Sequence, residues 1–360
     1  MNLKVGIVGL PNAGKSTLFN ALLKKTVADM APYPFCTIEP NIGVVPVPDE
    51  RLTKLADIIE KSEGKRLPQV PAVVEFVDIA GLVKGAAAGE GLGNKFLSHI
   101  REVHIIAHTL RAFSDPKIIH VTGSVNPEQD RQIVETELML ADLETLKKQP
   151  EPKGVTSKDT LIRWEIIKKV TDGLNQGRLA KDILTHPLEL AHVRDLHLLT
   201  LKPVIYVINC SEEQLKTGYV SISPELISQC LFINAKMEND LASLNPTEQK
   251  QYLSELGLNQ SGLDRLIHQA YQTLGLISFL TCCDKEVRAW TVKRGTTARE
   301  ASGVIHTDFI KQFIKADVID LESFIATGGW ISGRETGKIR QEGRDYIVRD
   351  GDVIEFKIGR

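Results

Sequence analysis

The chain carries the sequence GLPNAGKS at residues 9–16, and this short segment determines how the rest of the sequence is interpreted. It matches the pattern G-x-x-x-x-G-K-[ST] at every fixed position. A β-branched run, Val5–Val8, comes directly before it, and apolar residues at helical spacing follow from Ser16 to Lys25. A strand, a glycine-containing loop and a helix in this order predict a phosphate-binding loop. The first part of the chain is therefore expected to bind a nucleotide.

The residue types in this loop predict how it would hold that nucleotide. Backbone N–H groups of the loop and of the helix start converge on one anion, and glycine lets a phosphate approach the backbone. Lys15 can reach the β- and γ-phosphates, and the Ser16 hydroxyl can bind Mg²⁺. The predicted nucleotide-contacting residues of this segment are Asn12, Ala13, Gly14, Lys15, Ser16 and Thr17.

Two further motifs narrow the class of nucleotide-binding protein. Asp78 follows the apolar run Val73–Val77, and a carboxylate at the end of a strand can hold Mg²⁺ through water. Gly81, three residues later, offers an unobstructed N–H group to a γ-phosphate. Thr37 lies between the two motifs, and its hydroxyl completes the predicted metal ligands Ser16, Thr37 and Asp78. This order is typical of GTPase-like switch proteins and disfavours a small-molecule kinase.

Composition and charge exclude several other classes. The 360 residues are 42% hydrophobic and 25% charged, which excludes collagen-like and low-complexity chains. The chain has 44 Lys and Arg against 46 Asp and Glu, so nucleic-acid binding would need a local basic patch. The five cysteines form no C-x-x-C pair, and no apolar run reaches the ~18 residues of a membrane span. A reduced, cytoplasmic protein without membrane contact is expected.

The apolar runs predict an α/β fold with a mostly parallel sheet. Four runs that alternate with helical patterns are predicted to be strands: Val73–Val77, Val103–Leu110, Val204–Ile208 and Leu231–Ile233. Strands that alternate with helices pair in parallel. We therefore predict a P-loop nucleotide-binding domain of the G type, formed by residues 1–130 and 201–277.

Two other segments have different patterns. Between residues 131 and 200, apolar residues recur at about 3.5-residue spacing, and charges of both signs fill the other positions. This predicts an inserted helical coiled-coil arm, with two amphipathic helices lying on the main domain as the alternative. Residues 278–360 predict a small mixed β/α domain, in which Asp350-Gly351 marks the turn of a hairpin between residues 346–348 and 353–358.

With these motifs in place, the chain resembles the YchF, or Obg-like ATPase, family within the translation-factor class of P-loop proteins. The segments that carry the resemblance are GLPNAGKSTLFNAL, PFCTIEPN, VPVPDERL, VDIAGLVKGA, GEGLGN, KEVRAW, IHTDF and YIVRDGDVIEF. They are spread over nearly the whole chain, and the resemblance is least distinct in residues 150–200. It implies that the last domain is a TGS-like β-grasp module.

The resemblance also bears on catalysis, because Leu82 stands where Ras-like proteins have a glutamine that orients the attacking water. Leucine cannot form a hydrogen bond with water, so another group must position it. The resemblance offers a histidine, and the matching position is His108, with His104 and His99 as weaker candidates. The predicted catalytic residues are His108, Lys15 and Gly81.

The base-reading motif departs from that of guanine-specific proteins. Those proteins use N-K-x-D, whose Asp accepts hydrogen bonds from guanine, whereas residues 209–212 read NCSE. Taken alone, this segment is also typical of a polar loop. The resemblance implies that ATP is preferred over GTP and that Asn209 lies near the base. The residues predicted to surround the base are Asn209, Glu212, Asn234, Ala235, Lys236 and Met237.

Cofactors and partners are implied by the resemblance as well. Mg²⁺ is expected, and Asn12 in the Pro-Asn-x-Gly-Lys loop implies stimulation by K⁺. Binding to the ribosome, at its large subunit, is implied, with RNA contacts through the helical arm and the TGS-like domain. The protein is expected to be a monomer. A solvated face is the alternative for that domain, because its basic cluster is diluted by acids. The cluster comprises Arg334, Lys338, Arg340, Arg344 and Arg349 among Glu335, Glu342 and Asp345.

Three functions remain open at this point. The first is a slow ATPase that uses Mg²⁺ and acts as a switch in translation or stress regulation. The second is a GTPase of the same architecture, which competition between ATP and GTP would separate from the first. The third is a ribosome- or RNA-binding protein that uses nucleotide only as a conformational ligand.

Overall fold

A computed structural model describes residues 3–29, 41–79, 92–121, 123–154, 157–218, 220, 222–283 and 285–359. The chain divides into two units. The first comprises Met1–Val45 and Glu75–Leu266, and the second comprises Pro46–Val74 and Ile267–Arg360. Within the described ranges the strands form two six-stranded sheets, and helices connect most of them. The predicted α/β fold class is confirmed.

The elements are numbered in chain order. The strands are β1 Lys4–Val8, β2 Ile42–Pro46, β3 Gln69–Val70, β4 Val73–Asp78, β5 Ile105–Arg111, β6 Val204–Asn209, β7 Cys230–Ile233, β8 Leu276–Cys282, β9 Val287–Lys293, β10 Phe313–Asp320, β11 Arg340–Glu342 and β12 Asp352–Ile358. The first five helices are α1 Lys15–Asp29, α2 Glu50–Glu63, α3 Leu92–Glu102, α4 Pro127–Lys147 and α5 Lys158–Asn175. The helices that follow are α6 Ala180–Ile183, α7 Pro187–Val193, α8 Glu212–Thr217, α9 Pro224–Ile227, α10 Ala235–Leu241, α11 Pro246–Glu255, α12 Gly262–Thr273, α13 Ala298–Ile305, α14 Phe309–Gln312, α15 Leu321–Thr327 and α16 Trp330–Glu335. None of the helices described is long and apolar enough to cross a bilayer.

The first sheet has the strand order β2-β4-β1-β5-β6-β7, and the pairings from β4 to β7 are parallel. Every residue of β5 is buried, as are four of the five residues of β1. Parallel strands covered on both faces are apolar along their whole length, which is why these runs were visible in the sequence. The carboxyl ends of parallel strands share one edge, and here that edge carries Val8, Asp78, Asn209 and Ile233. The loops that follow these residues therefore meet there.

The helical segment comprises residues 127–201. It begins with α4, and the two halves of this helix have different packing partners. Val134 and Leu138 belong to a core that also contains Val8 of the first sheet. Leu143 and Leu146 belong to a second core, which α5, α6 and α7 complete. The helical segment therefore rests on the sheet at one end and has a hydrophobic core of its own at the other.

The second sheet has the strand order β11-β10-β12-β8-β9-β3 and so includes an early strand of the chain. Gln69 of β3 pairs in parallel with Val287 of β9. Arg51, near the start of α2, donates hydrogen bonds of 2.8 Å to Asp49 and to Asp350. From their position in the sequence, residues 46–74 were expected in the nucleotide-binding domain. In the structure they group with the C-terminal residues, because β3 and Arg51 find their partners there.

The turn at Asp350-Gly351 is present, but the predicted hairpin around it is wrong. Residues 346–348 form no strand, and β12 pairs with β10 and β8 instead. Ile347 forms an isolated antiparallel bridge with Thr297. The Asp350 carboxylate accepts a hydrogen bond of 2.8 Å from the Ser278 N–H group, so it joins the turn to β8.

A buried carboxyl group, Glu238 on α10, caps the start of α12. Its side chain is 1% exposed and accepts a hydrogen bond of 2.6 Å from the Gly262 N–H group. Burial raises the pKa of Glu238 from its usual value of 4.5 to about 7. Between these two pH values the folded state binds more protons than the unfolded state does. The free energy of unfolding therefore falls as the pH rises through this window.

Replacing Glu238 with glutamine is expected to stabilise the protein at pH 8 by on the order of 2 kcal/mol. The amide keeps an acceptor for the Gly262 N–H group and removes the buried charge, so little change is expected at pH 4, where the carboxyl group is protonated. Urea unfolding at both pH values measures the difference. Glu225→Gln, at an exposed position, is the control. A gain of equal size at both pH values would contradict the assignment.

Candidate functional site

The phosphate-binding loop connects β1 with α1, and two of its glycines are required by their surroundings. A Cβ atom at Gly9 would collide with the carbonyl oxygen of Thr109 on β5. Gly14 has a φ of +96°, which L residues rarely adopt, and a Cβ atom there would collide with the side-chain amide of Asn209. The loop is thus bordered closely by β5 and by the end of β6, and only glycine fits at these two contacts.

Lys15 is the first residue of α1, and its ammonium group lies inside the loop. Nζ donates a hydrogen bond of 2.9 Å to the carbonyl oxygen of Leu10, and the side chain is buried. Burial lowers the pKa of Lys15, and the negative charge of Asp78 opposes this shift. The structure therefore holds a largely desolvated positive charge against the phosphate-binding loop, and such a charge suits phosphate oxygens.

Ser16 and Asp78 form the candidate metal site. Ser16 Oγ donates a hydrogen bond of 3.2 Å to Asp78 Oδ2. The other carboxylate oxygen, Oδ1, is buried and has no hydrogen-bond partner among the described residues. Hydroxyl and carboxylate oxygens suit Mg²⁺, and a water bound to the metal can donate to such an unpartnered oxygen. These two residues fit the ion, while the predicted ligand Thr37 and the predicted γ-phosphate contact Gly81 lie outside the described residues.

Asn209 ends β6 and uses both ends of its side-chain amide to join two loops. Nδ2 donates a hydrogen bond of 3.0 Å to the Ala13 carbonyl oxygen, and Oδ1 accepts one of 3.1 Å from the Ala235 N–H group. The side chain is buried. Ala13 belongs to the phosphate-binding loop and Ala235 begins α10. Asn209 therefore braces the nucleotide loop against the loop that follows β7.

Glu212 lies just beyond Asn209, at the start of a short helix. Ser211 caps α8 through a capping box with Gln214, which places Glu212 in the first turn. Glu212 is exposed and forms an ion pair of 2.8 Å with Lys216, one turn further on. Its carboxylate thus already has a cationic partner on its own helix.

Of the side chains that follow β7, some are exposed at the surface and others are buried in the core. Asn234 caps α10 by accepting a hydrogen bond of 2.9 Å from the Met237 N–H group. Met237 is buried with Leu241 and Leu253 in a small hydrophobic cluster, whereas Lys236 is exposed. Asn234 and Ala235 are thus fixed beside Asn209, and the Met237 side chain belongs to the protein core.

His108 lies in the middle of β5, within the sheet. It is in register with Val8 on one side and Tyr206 on the other, and its ring centroid is 5.9 Å from that of Tyr206. The side chain is 2% exposed, and Nε2 has no partner among the described residues. Burial lowers the pKa of His108 to about 3, with the charges of Arg131 and Lys15 adding to the effect. The ring is therefore neutral at physiological pH, and water can reach it only if the surrounding structure rearranges.

The two weaker histidine candidates lie elsewhere. His104 Nδ1 accepts a hydrogen bond of 3.1 Å from the N–H group of Lys4, the first residue of β1. This places His104 at the amino edge of the sheet, a strand length from the phosphate-binding loop. His99 is exposed near the end of α3.

A segment that no sequence motif marks lies directly beside the loop. Asn12 Nδ2 donates a hydrogen bond of 3.0 Å to the Ile119 carbonyl oxygen. The next residue, His120, is buried, with Nε2 3.0 Å from Asp130 Oδ2 on α4. Arg111, at the end of β5, donates a hydrogen bond of 3.0 Å to the Ile118 carbonyl oxygen. The segment is thus held by the phosphate-binding loop, the sheet and α4 together, and only the fold brings these residues into contact.

Comparison with known proteins gives the chain a consistent set of relatives. Residues 276–359 match a family model for a YchF GTPase C-terminal region, described as a protein of unknown function. Residues 4–149 match a model described as a 50S ribosome-binding GTPase. The chain is similar to the ribosome-binding ATPase YchF of Bacillus subtilis, with 44% identity over 369 residues and 99% of each chain covered. It is 45% identical over 366 residues to the protein of the same name from Escherichia coli O157:H7, again with 99% of each covered. A solved structure of the Schizosaccharomyces pombe YchF GTPase superposes with a TM-score of 0.86 at 35% identity, covering 99% of this chain and 98% of that one.

Proposed function

The chain belongs to the YchF family, and on this basis we propose that it is a ribosome-associated ATPase that acts as a nucleotide-dependent switch in translation or stress regulation. One observation carries the proposal: Lys15 and the Ser16–Asp78 pair lie at one edge of the parallel sheet, around a loop built for phosphate. The names of the relatives support both ATP hydrolysis and ribosome binding. The reaction is attack of water on the γ-phosphate.

The chain's own groups would bind the phosphates and help to stabilise the charge that develops in this reaction. The loop N–H groups and Lys15 would bind the β- and γ-phosphates and neutralise the charge that develops as the bond to the γ-phosphate breaks. Ser16, Asp78 and Thr37 would hold Mg²⁺, and the bound ion would act as a Lewis acid on the phosphate oxygens. The Gly81 N–H group would bind the γ-phosphate, so that the segment around it responds to hydrolysis.

The proposal also includes a monovalent cation that binds beside the phosphates. Asn12 Nδ2 is bound to the Ile119 carbonyl oxygen, so Oδ1 is the atom of this side chain that a cation beside the phosphates would use. We expect K⁺ to stimulate hydrolysis for this reason. The hydrolysis assay with Na⁺ in place of K⁺ tests it.

The group that positions the attacking water is a histidine in this proposal, and two are candidates. His108, at the position that the resemblance offers, is neutral and lies inside the sheet. His120 is on the segment that Asn12 ties to the phosphate-binding loop, and Asp130 orients its ring. A carboxylate that fixes the orientation of an imidazole is the arrangement used when histidine assists water. The geometry therefore favours His120 over His108.

Alanine variants of the two histidines separate these roles. His120→Ala is expected to lower kcat by about 10²-fold with little change in the Kd for ATP. His108→Ala removes a buried ring between β-strands, so it is expected to lower the melting temperature and to change kcat of the folded fraction much less. ATP hydrolysis assays measure kcat of both variants, and thermal unfolding measures their melting temperatures. If His108→Ala lowered kcat strongly and His120→Ala did not, His108 would be the residue that positions the attacking water.

We expect ATP to bind at least about tenfold more tightly than GTP, a difference of about 1.4 kcal/mol. Guanine specificity needs a carboxylate that accepts from the base, and at this position the Glu212 carboxylate is paired with Lys216. Displacement of a fluorescent ATP analogue by unlabelled ATP and GTP measures the ratio. A tenfold preference for GTP would instead support the GTPase of the same architecture.

The proposed partner is the ribosome, at its large subunit, with RNA contacts through the helical segment and the C-terminal unit. A cytoplasmic location and a monomeric state belong to the same proposal. Sedimentation of the protein with purified ribosomes and separated subunits, in ATP and in ADP, tests the partner. If binding follows the nucleotide while hydrolysis is absent, the nucleotide is a conformational ligand and the enzymatic part of the proposal fails.

A further inference from the structure

Arg111, the last residue of β5, is the largest of the fully buried side chains in the part of the chain that the structure describes. Its Nε donates a hydrogen bond of 3.1 Å to the Phe113 carbonyl oxygen, and its Nη2 donates one of 3.0 Å to that of Ile118. The guanidinium carbon also lies 4.5 Å from the centroid of the Phe113 ring. One guanidinium group therefore joins the two ends of the loop at residues 113–118.

Packing alone does not explain why this position holds an arginine. The side chain is 1% exposed, and its third nitrogen, Nη1, is buried without a hydrogen-bond partner among the described residues. A buried charge that is incompletely paired costs stability, and an apolar side chain of similar volume would fill the same space at lower cost. The charge and the two hydrogen bonds of Arg111 therefore point to a role in the function of the protein.

The last three residues of this loop, 118–120, are each held by a different part of the fold. The carbonyl oxygen of Ile118 is bound from β5 by the buried guanidinium group. The carbonyl oxygen of Ile119 accepts a hydrogen bond of 3.0 Å from Asn12 in the phosphate-binding loop. The ring of His120 is held from α4, with Nε2 3.0 Å from Asp130 Oδ2. The place of the imidazole ring beside the phosphate-binding loop thus depends on all three contacts.

Arg111 also acts on Asp130 through its charge. Asp130 is 2% exposed, and burial raises the pKa of its carboxyl group, while His120 and the positive charge of Arg111 oppose this shift. The ionised carboxylate is purely an acceptor, so it holds the His120 ring in one orientation. Arg111 therefore supports the His120–Asp130 pair in two ways, by a hydrogen bond to the backbone before His120 and by favouring the charged form of Asp130.

We propose that Arg111 is a positioning residue for ATP hydrolysis and that it acts through the His120–Asp130 pair. This inference rests on the proposed function, in which His120 positions the attacking water. A small displacement of a group that orients a reactant lowers the rate of the chemical step, although the nucleotide itself is still bound. Loss of Arg111 should therefore lower kcat and leave the KM for ATP nearly unchanged.

A double-mutant cycle on the full chain tests this proposal, with the variants R111Q, H120A and R111Q/H120A. Glutamine keeps an N–H donor but removes the charge and the second hydrogen bond. Steady-state ATP hydrolysis gives kcat and KM, and thermal unfolding verifies that each variant is folded. The matched control is R265Q, because Arg265 is a half-buried arginine that donates a hydrogen bond of 2.7 Å to the Phe232 carbonyl oxygen near the end of β7.

R111Q is expected to lower kcat by about tenfold or more and to change KM by less than about threefold. In the H120A background the same substitution should have no further effect on kcat, because the group through which it acts is already absent. R265Q should leave both constants unchanged.

Three results would overturn the inference while leaving the role of His120 intact: unchanged kcat in R111Q, losses that multiply in the double variant, or a KM that rises as much as kcat falls. Normal hydrolysis by H120A would instead contradict the proposed function, and this inference would fall with it. If R111Q does not fold, the cycle is repeated with R111K, which keeps the charge but not the forked donor. A smaller loss of kcat with the same dependence on His120 is then expected, and a loss that is independent of His120 would overturn the inference.

Discussion

Replacement of Lys15 with methionine is expected to lower kcat for ATP hydrolysis by about 10³-fold. The ammonium group is the charged side chain within the phosphate-binding loop, where its Nζ lies 2.9 Å from the Leu10 carbonyl oxygen. Methionine has a similar length and fills the same space without the charge. Stabilisation of the transition state is therefore lost while the packing of the loop is kept. Single-turnover hydrolysis at saturating ATP measures the loss.

The stability of this variant in the absence of nucleotide provides an independent test. Burial lowers the pKa of Lys15, which means that the folded protein disfavours the charged form that methionine removes. The melting temperature of the nucleotide-free variant is therefore expected to equal or exceed that of the unaltered protein, and ATP is expected to raise it much less. Lys24→Met, at an exposed position of the same helix, is the matched control and should retain hydrolysis. If the Lys15 variant hydrolysed ATP at a nearly normal rate, the phosphates would have to bind away from Lys15.

The parts of the molecule that could be predicted from the sequence are those whose signals are local. Val5–Val8 and Val204–Ile208 are apolar along their length because they lie inside a parallel sheet. The phosphate-binding loop is recognisable because Gly9 and Gly14 meet fixed steric requirements within one short segment. Asp78 was placed correctly at the end of its strand, and the structure puts it against Ser16.

The parts that could not be predicted depend on contacts between distant residues. Arg51 pairs with Asp350, 299 positions away, and no local pattern in residues 46–74 indicates this partner. Asn209 was expected near the base, and its role as a brace follows only from the positions of Ala13 and Ala235. The Asp350-Gly351 pair was a true turn signal, but a turn does not determine which strand its flanks join.

Asp142 makes another contact between residues that are distant in sequence. It lies on the half of α4 that packs into the second hydrophobic core. Its side chain is 1% exposed. Oδ1 accepts a hydrogen bond of 2.7 Å from the Leu199 N–H group, and Oδ2 accepts bonds of 2.8 and 2.6 Å from the N–H and hydroxyl groups of Thr200. The carboxylate thus ties α4 to the point where the chain leaves the helical segment and returns to β6.

Burial raises the pKa of Asp142 although these three donors oppose the shift. The charged carboxylate therefore contributes little net stability by itself, and the main cost of removing it comes from the donors left behind. Asp142→Ala would leave two buried N–H groups without an acceptor, each costing about 1–3 kcal/mol. Asp142→Asn keeps one acceptor oxygen, so its effect should be intermediate.

Asp142→Ala is therefore expected to lower the free energy of unfolding of the helical segment by about 3–5 kcal/mol. Hydrogen exchange followed by mass spectrometry localises the effect, because the amides of Leu199 and Thr200 should lose protection before those of β5. Asp172→Ala, an exposed carboxylate on α5, is the control and should change stability by less than about 0.5 kcal/mol. If the alanine variant at 142 were as stable as this control, the three hydrogen bonds would not hold the end of the helical segment. Because α4 also carries Asp130, the partner of His120, a loosened α4 should lower kcat as well as stability, and the two losses should track each other across the Asn and Ala variants.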